Sequence, residues 1–181
     1  MGRHKAHLVL DGRTFLERIA SELSAVPSSV SLVGARQAAS SFHNVPDVHE
    51  QWGALGGIHG ALTAAETEWV IVVACDLPFV TSELFRRLMS AASDRFDAVI
   101  PIQEDGRPQP VCALYRRSTC LPEIDRLVGV GEHTPRALLA NVRTHYVEFA
   151  ELSDLAGGKH LFFNVNTPED LQKAEAIVAQ G

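Results

Sequence analysis

One aspartate stands where a buried strand is predicted to end. The segment from Trp69 to Val80 is an unbroken apolar run that ends in Cys75-Asp76-Leu77-Pro78. A run that is apolar on both alternating faces predicts a central strand of a parallel sheet, covered by helices on each side. Open α/β sheets bind ligands at the carboxyl ends of their strands, so Asp76 could hold Mg²⁺ together with substrate phosphates. Considered alone, Asp76 is equally well explained as a turn residue that accepts backbone N–H bonds.

Two asparagines near the end of the chain follow a second apolar segment. Asn164 and Asn166 end a predicted strand, and Thr167-Pro168-Glu169-Asp170 then has the N-cap residue, the first-turn proline and the acidic residue that start a helix. At the same sheet edge as Asp76, the two asparagines could supply an oxygen ligand or contact a phosphate. By themselves they are better explained as turn residues that precede the helix cap.

A glycine-rich segment precedes the apolar run. Gly53, Gly56, Gly57 and Gly60 would allow a backbone to approach a flat base or a phosphate closely. Their spacing matches neither GxGxxG nor GxxxxGK[ST], which disfavours a dinucleotide-binding or P-loop enzyme. Close helix packing is the alternative explanation, above all for Gly60.

Two further charged residues give weaker signals. Gly2-Arg3-His4-Lys5 places a lysine where it could neutralise phosphate charge, although a lysine near a terminus is usually only solvated. Asp47, ahead of the glycine-rich segment, could contact a base or a ribose, although a loop aspartate is more often a cap.

Composition narrows the classes of function. The chain has 181 residues, of which 46% are hydrophobic, and this predicts one substantial core in a single domain spanning residues 1–181. A formal net charge of −6 argues against a nucleic-acid binder, because such proteins cluster Lys and Arg against the phosphate backbone. No apolar run reaches the roughly 18 residues of a membrane span, and the first residues match no leader pattern. We therefore expect a soluble cytoplasmic protein without membrane or nucleic-acid partners.

The cysteines and histidines match no common metal or disulfide pattern. Cys75, Cys112 and Cys120 form no CxxC pair, and an odd number spread in this way predicts no disulfide framework. The eight histidines include no HxxxH or HExxH pair, so we assign no histidine metal site. We interpret Cys75 as a small buried residue.

Strands and helices that alternate along the chain must position these residues. This alternation predicts a three-layer α/β domain with a mostly parallel sheet. The polar segment from Gln103 to Gln109 predicts an exposed loop and a candidate rim of the site. The predicted strands are Leu8 to Leu10, Val30 to Val33, the run from Trp69, Ala98 to Ile102, Val111 to Tyr115, Thr144 to Phe149 and a last one from Leu161. Helices are predicted from Thr14, within Gly53 to Thr67, from Thr81 or Ser82, on both sides of Gly129-Val130-Gly131, and from Thr167.

Five segments in this order resemble one known family. They are MGRHKAHLVLDGRTFLERI, VPDVHEQWGALGGIHGAL, VVACDLPFV, PVCALYRRS and FFNVNTPEDL. Together they resemble the molybdenum cofactor guanylyltransferases, within the wider molybdopterin nucleotidyltransferase group, over nearly the whole chain. The resemblance implies a three-layer α/β/α, Rossmann-like nucleotidyltransferase fold. It also implies the transfer of GMP from GTP to molybdopterin with release of pyrophosphate.

The resemblance also implies roles for particular residues. Asp76 would bind Mg²⁺ and nucleotide, and Lys5 would contact the triphosphate as the second catalytic residue. Asp47 and the loop of Gly53, Gly56 and Gly57 would contact guanosine. Asn164 and Asn166 match asparagines near the bound pterin or metal. The implied partners are GTP and molybdopterin as substrates, with enzymes that deliver molybdopterin or accept the product.

The chain departs from the family pattern in three places. The family opens with a strand that leads into a Leu-Ala-Gly-Gly loop, which is followed by an arginine and then a Met-Gly pair. This chain starts at the Met-Gly pair. We therefore expect the first central strand and the phosphate loop to be missing. His4 replaces an aspartate beside the lysine, and Ala54 replaces a proline. Two alternatives stay open: a non-catalytic nucleotide- or pterin-binding module, and a cytidylyl or sugar-phosphate nucleotidyltransferase of the same fold. The Asn-Val-Asn-Thr-Pro segment favours guanylyl transfer.

Overall fold

Helices and strands alternate along the protein. Its structure is a computed structural model that describes residues 5–26, 29–34, 43–46 and 50–180, without the side chains of Lys5 and Glu50. The helices are α1 (Phe15–Ser24), α2 (Gly53–Ala64), α3 (Ser82–Ser90), α4 (Arg117–Gly129), α5 (Pro135–Asn141) and α6 (Pro168–Ala179). The strands are β1 (Val9–Leu10), β2 (Arg13–Thr14), β3 (Ser31–Val33), β4 (His43–Val45), β5 (Trp69–Val73), β6 (Ala98–Pro101), β7 (Cys112–Arg116) and β8 (Thr144–Val147).

A four-stranded sheet with the order β5-β7-β6-β8 forms the middle layer. β7 is antiparallel to both β5 and β6, whereas β8 is parallel to β6. Three strands therefore run in one direction, which confirms the mostly parallel sheet, and β7 runs against them. β7 runs antiparallel to β6 because only a short loop connects the two strands. A parallel arrangement of β6 and β7 would need a crossover connection of about a dozen residues or more.

Helices cover both faces of this sheet, because the side chains of each strand alternate between two cores. Leu114 of β7 packs with Ile19 of α1 and Phe85 of α3 on one face. Its neighbour Tyr115 packs on the other face with residues of α2, α4 and α5 such as Leu55. This alternation is the period-2 geometry of a strand that is buried on both sides, and it confirms the three-layer α/β/α architecture.

The run before Asp76 does not occupy the predicted central position. Within the described part of the chain, β5 has a hydrogen-bonded neighbour only in β7, and all five of its residues are half-buried. β3 and β4 form a separate parallel pair. Helix α2 packs closely on β3, because a Cβ built on Gly60 would lie 2.8 Å from Val33 Cγ1. Close helix packing therefore explains Gly60, as predicted.

Local signals placed most helix starts correctly. Thr14, Thr81 and Thr167 each cap a helix by accepting a backbone N–H, and Thr14 and Thr167 do so within a full capping box. The strand predicted from Leu161 is wrong, because residues 158–160 form a short 3₁₀ helix and residues 161–166 are irregular. Among the described residues, no helix is both long and apolar enough to cross a membrane.

Candidate functional site

Asp76 lies in a tight turn directly after β5. The backbone N–H of Ala74 still pairs with Val111 at 2.7 Å, and the N–H of Leu77 then turns back to the carbonyl of Ala74. The side chains of Leu77 and Pro78 are buried below this turn. Arg18 of α1 donates from Nε to the carbonyl of Pro78 at 3.4 Å. The carboxylate is thus carried by a backbone held from two sides, at the carboxyl end of a strand as predicted.

Val165 joins the two asparagines to this turn. Its backbone N–H donates to the carbonyl oxygen of Asp76 at 2.9 Å. Its side chain is fully buried in a small core with Leu10, Phe15 and Ala174. Because Asn164 and Asn166 flank this anchored residue, the structure brings both asparagines beside Asp76, although no regular strand carries them there.

The helix cap fixes the backbone of Asn166. Its N–H and that of Thr167 donate to the carboxylate of Asp170 at 3.1 and 3.0 Å. The hydrogen bond from Asn166 is the largest cause that lowers the pKa of Asp170. The segment between Val165 and α6 is therefore held by hydrogen bonds at both ends.

A buried amide oxygen of Asn164 suits a ligand. Asn164 Oδ1 is inaccessible to solvent and accepts no hydrogen bond from the residues that the structure describes. An unsatisfied buried acceptor is costly, and a ligand N–H or a hard cation would satisfy it. An amide oxygen and the nearby carboxylate of Asp76 are the kinds of oxygen donor that Mg²⁺ prefers, because this ion takes one or two carboxylates and keeps the rest of its coordination for waters and phosphates.

No larger metal cluster is present in the described ranges. No group of three or more His, Cys, Asp or Glu side chains that could hold a metal ion occurs there. The donor set around Asp76 and Asn164 instead needs substrate oxygens to complete a coordination shell.

Asn164 and Asn166 face a cavity of about 880 Å³. The loop from Gln103 to Gln109 forms its other side, so this predicted loop is a rim of the cavity. Its lining combines charged and amide groups with three phenylalanines; in full it is Gln103, Glu104, Asp105, Arg107, Pro108, Gln109, Phe149, Lys159, Phe162, Phe163, Asn164 and Asn166. A polar cavity with aromatic walls suits a planar, polar ligand.

The predicted glycine loop is the first part of α2 rather than a loop. Gly53 is the first helical residue and has a positive φ of 55°. Gly56 is buried, whereas a Cβ on Gly57 would meet nothing within 4 Å. No side chain caps this helix, so its first backbone N–H groups carry the positive end of the helix dipole. Among the described residues no hydrogen bond joins α2 to the Asp76 turn.

Two predicted site residues lie outside what the structure describes. Asp47 is outside the described ranges, and of Lys5 only the backbone is described, in a 3₁₀ helix from Lys5 to His7. Sequence reasoning missed the phenylalanines, Arg107 and Lys159 of the cavity. Lys159 carries a weak signal, since it follows two glycines and shortly precedes the two asparagines.

The fold and the site define an α/β/α domain with a ligand cavity beside the carboxyl end of a strand. Residues 1–148 match the family model described as the MobA-like NTP transferase domain. The chain belongs to this family.

Relatives and solved structures agree with this membership. The molybdenum cofactor guanylyltransferase of Desulfosudis oleivorans is 30% identical over 183 residues, which cover 99% of this chain and 90% of that protein. The probable molybdenum cofactor guanylyltransferase of Pelotomaculum thermopropionicum is 33% identical, covering 98% and 86%. The structure of molybdopterin-guanine dinucleotide biosynthesis protein A from Archaeoglobus fulgidus superposes with a TM-score of 0.81 at 27% identity, covering 99% and 93%.

A more distant structure supports the fold alone. The 2-C-methyl-D-erythritol 4-phosphate cytidylyltransferase of Thermus thermophilus superposes with a TM-score of 0.72 at 21% identity, covering 97% of this chain and 93% of that one. The mixed sheet and the helices on both faces are therefore shared with nucleotidyltransferases of different specificity.

Proposed function

We propose that the protein transfers GMP from GTP to molybdopterin and releases pyrophosphate, within a single domain spanning residues 1–181. The observation that carries this proposal is the hydrogen bond between Val165 and Asp76, because it sets a carboxylate beside two asparagines that open into a polar, aromatic-walled cavity. The names of the relatives and family membership supply the donor and acceptor. We place this reaction in the cytoplasm, where GTP is available.

The reaction requires positioning and charge neutralisation more than proton transfer. A phosphate oxygen of molybdopterin attacks the α-phosphorus of GTP, a new P–O bond forms, and the bond from the α-phosphorus to the bridging oxygen breaks. The electron pair of that bond leaves with pyrophosphate. Because the attacking phosphate is already ionised, no strong general base is needed, and the chain's task is to align two anionic groups.

Asp76 and the residues around it would hold the donor phosphates. We assign to the Asp76 carboxylate the binding of Mg²⁺, with the Oδ1 of Asn164 as a further oxygen donor. Bound Mg²⁺ would neutralise charge on the triphosphate. Lys5 and Asp47 stay assigned to triphosphate and guanosine by resemblance. The uncapped start of α2 at Gly53 offers backbone N–H groups to the nucleotide, as helix N-termini do for anions.

The cavity would hold the acceptor. Its phenylalanine walls suit a flat pterin, and the amides of Asn164 and Asn166 suit the polar edges of such a ring. Asn166 lies next to the capped start of α6, so its backbone is fixed. The acceptor phosphate would then point toward Asp76, because Val165 holds the two asparagines next to that residue.

The proposal is tested by supplying GTP labelled at the α-phosphate, Mg²⁺ and molybdopterin. We expect a labelled guanine dinucleotide, detected by chromatography and mass spectrometry, and one equivalent of pyrophosphate. Binding of both substrates without any product would contradict the proposal and favour the binding-module alternative. Preferential use of CTP in competition with GTP would favour the cytidylyltransferase alternative.

A further inference from the structure

The cavity lining contains one lysine that forms no ion pair with the residues that the structure describes. The cations on its lining are Arg107 and Lys159. Arg107 is neutralised by Asp105, to which its Nε and Nη2 donate at 2.7 and 2.6 Å. Lys159 makes neither a hydrogen bond nor an ion pair with any residue that the structure describes. Its ammonium group is therefore available to an anionic ligand.

Glycine geometry, a backbone hydrogen bond and a buried leucine fix the conformation of the turn that carries Lys159. Lys159 is the middle residue of the 3₁₀ helix Gly158–His160. Gly157 and Gly158 precede it with positive φ angles of 87° and 41°, a conformation that glycine adopts without strain. The N–H of Leu161 returns to the carbonyl of Gly158 at 3.2 Å, and the side chain of Leu161 is fully buried. The position of the Lys159 backbone is therefore set by the fold.

The same turn rests on the segment that carries Asp76. A Cβ on Gly157 would lie 3.5 Å from the carbonyl oxygen of Phe79. The ring of His160 lies 6.3 Å from that of Phe79, and Phe163 makes an edge contact with Phe79 at 6.2 Å. Phe79 directly follows Pro78 of the Asp76 turn, so the residues on either side of Lys159 pack against the region that would bind the donor.

The proposed reaction requires a positive charge near the acceptor phosphate. Two phosphate groups must approach each other for the proposed reaction, and the chain has a formal net charge of −6 with Glu104 also on the cavity lining. An acceptor phosphate would be repelled from the site unless a local positive charge held it. Lysine suits this role because it binds phosphate as a compact point charge.

This part of the cavity also lies outside the family match. The model of the MobA-like NTP transferase domain ends at residue 148, whereas Phe149, Lys159, Asn164 and Asn166 follow it. The segment shared with other NTP transferases would handle the common donor, and the segment beyond it is free to recognise a particular acceptor.

We propose that Lys159 binds the phosphate group of the acceptor and holds it for attack on the donor. This inference rests on the proposed function and adds to it a residue that neither the sequence analysis nor the resemblance assigned to the site. Lys159 thus acts on the acceptor side, whereas Asp76 acts on the donor side.

The test compares Lys159→Ala with Lys159→Arg and with Lys173→Ala, which removes an exposed lysine of α6 outside the cavity and changes the net charge equally. Lys159→Ala should raise the KM for molybdopterin by about tenfold, the effect of one lost charge-assisted hydrogen bond. The KM for GTP should not change. Lys159→Arg should restore most of the affinity, and Lys173→Ala should behave as the wild type.

A binding measurement separates phosphate recognition from a structural role. Titrations use molybdopterin and the same pterin after removal of its phosphate. We expect Lys159→Ala to weaken binding of the first compound and to leave the second unchanged. Equal loss for both compounds, or no loss for either while the wild type turns over, would overturn the role of Lys159 alone. Failure of the wild type to bind or use molybdopterin would overturn the proposed function, and the role of Lys159 with it.

Discussion

The backbone N–H of Val165 donates a hydrogen bond of 2.9 Å to the carbonyl oxygen of Asp76. This bond links the end of the main sheet's outer strand to the segment that enters the last helix. The bond places the backbone of Asp76 next to the segment of Asn164 and Asn166, which lines a cavity.

Asp76→Asn should abolish most of the activity and leave the fold intact. Asparagine keeps the size of the side chain but removes the charge that would hold Mg²⁺, so we expect kcat to fall by roughly 10²-fold or more. Steady-state GMP transfer as a function of Mg²⁺ concentration measures the effect. Asp11→Asn is the matched control, because Asp11 is an exposed turn residue with a positive φ that asparagine also adopts. Unchanged kcat in Asp76→Asn would exclude the metal role of this carboxylate.

Asn164→Ala should separate function from stability. Its Oδ1 accepts no hydrogen bond from the described residues, so removing it deletes an unsatisfied buried acceptor and should cost less than about 1 kcal/mol of unfolding free energy. Turnover should nevertheless fall, because a ligand loses its oxygen partner. Urea denaturation and steady-state kinetics are measured on the same preparation. A large loss of stability with normal kcat and KM would show that Asn164 is structural.

Gly57→Ala and Gly60→Ala should have opposite effects on stability. A Cβ on Gly57 meets nothing within 4 Å, so alanine should stabilise α2 by about 0.5–1 kcal/mol. A Cβ on Gly60 would clash with Val33, so alanine there should cost about 1–3 kcal/mol. If Gly57 lets guanosine approach, as the resemblance implies, Gly57→Ala should raise the KM for GTP although it stabilises the fold. Calorimetric unfolding and GTP titration test both points, and unchanged GTP affinity would remove Gly57 from the nucleotide site.

Buried Asp97 should make the protein sensitive to acid. Its carboxylate is 2% exposed and accepts hydrogen bonds from Arg143 Nε and Nη2 at 2.8 and 2.7 Å and from Thr119. The Arg143 hydrogen bonds lower the pKa of Asp97 to about 2. Because the folded pKa lies below the unfolded one, the stabilisation is fully present above about pH 4 and is lost as the pH falls toward 2, a change of about 2 kcal/mol.

Asp97→Asn tests this origin of the acid sensitivity. We expect a loss of about 2–3 kcal/mol at pH 7 and a flatter dependence of unfolding free energy on pH between 2 and 4. Asp94→Asn is the control, because Asp94 is fully exposed in its pair with Arg116 and exposed ion pairs contribute little to stability. Equal effects of the two substitutions would argue against the role of burial. Urea unfolding at several pH values measures both.

Cys75 should be the reactive thiol of the native protein. Burial raises the pKa of Cys112 and of Cys120 to about 12, so neither forms a thiolate near neutral pH. Cys75 is half-buried, which corrects its interpretation as a buried residue, and the three cysteines form no disulfide. A thiol reagent should therefore label one site before denaturation and three after it. Because Cys75 adjoins Asp76, GTP with Mg²⁺ should slow the labelling, and labelling unaffected by saturating nucleotide would contradict a donor site at this turn.

Local chemistry in the sequence was sufficient for many of these features. Thr14, Thr81 and Thr167 cap helices because each acts on an N–H only three residues away. The apolar run before Asp76 formed a strand, and the polar segment from Gln103 formed a rim loop, because periodicity and turn residues act over short distances as well. The assignments of Lys5 and Asp47 stay predictions.

Only the tertiary structure decided which distant segments meet. β5 lies at one end of the four-stranded sheet. This strand order depends on packing between elements that are far apart in the sequence, so the sequence pattern did not predict it. The irregular segment around Val165 reaches Asp76 through one backbone hydrogen bond and a buried side chain, not through the strand that its apolar residues predicted. Lys159 is brought to the cavity by glycine geometry and by packing on Phe79. The sequence by itself determined that a carboxylate follows a strand. Long-range packing decided which residues stand beside that carboxylate, because hydrophobic burial and backbone pairing act between any segments that the folded chain places in contact.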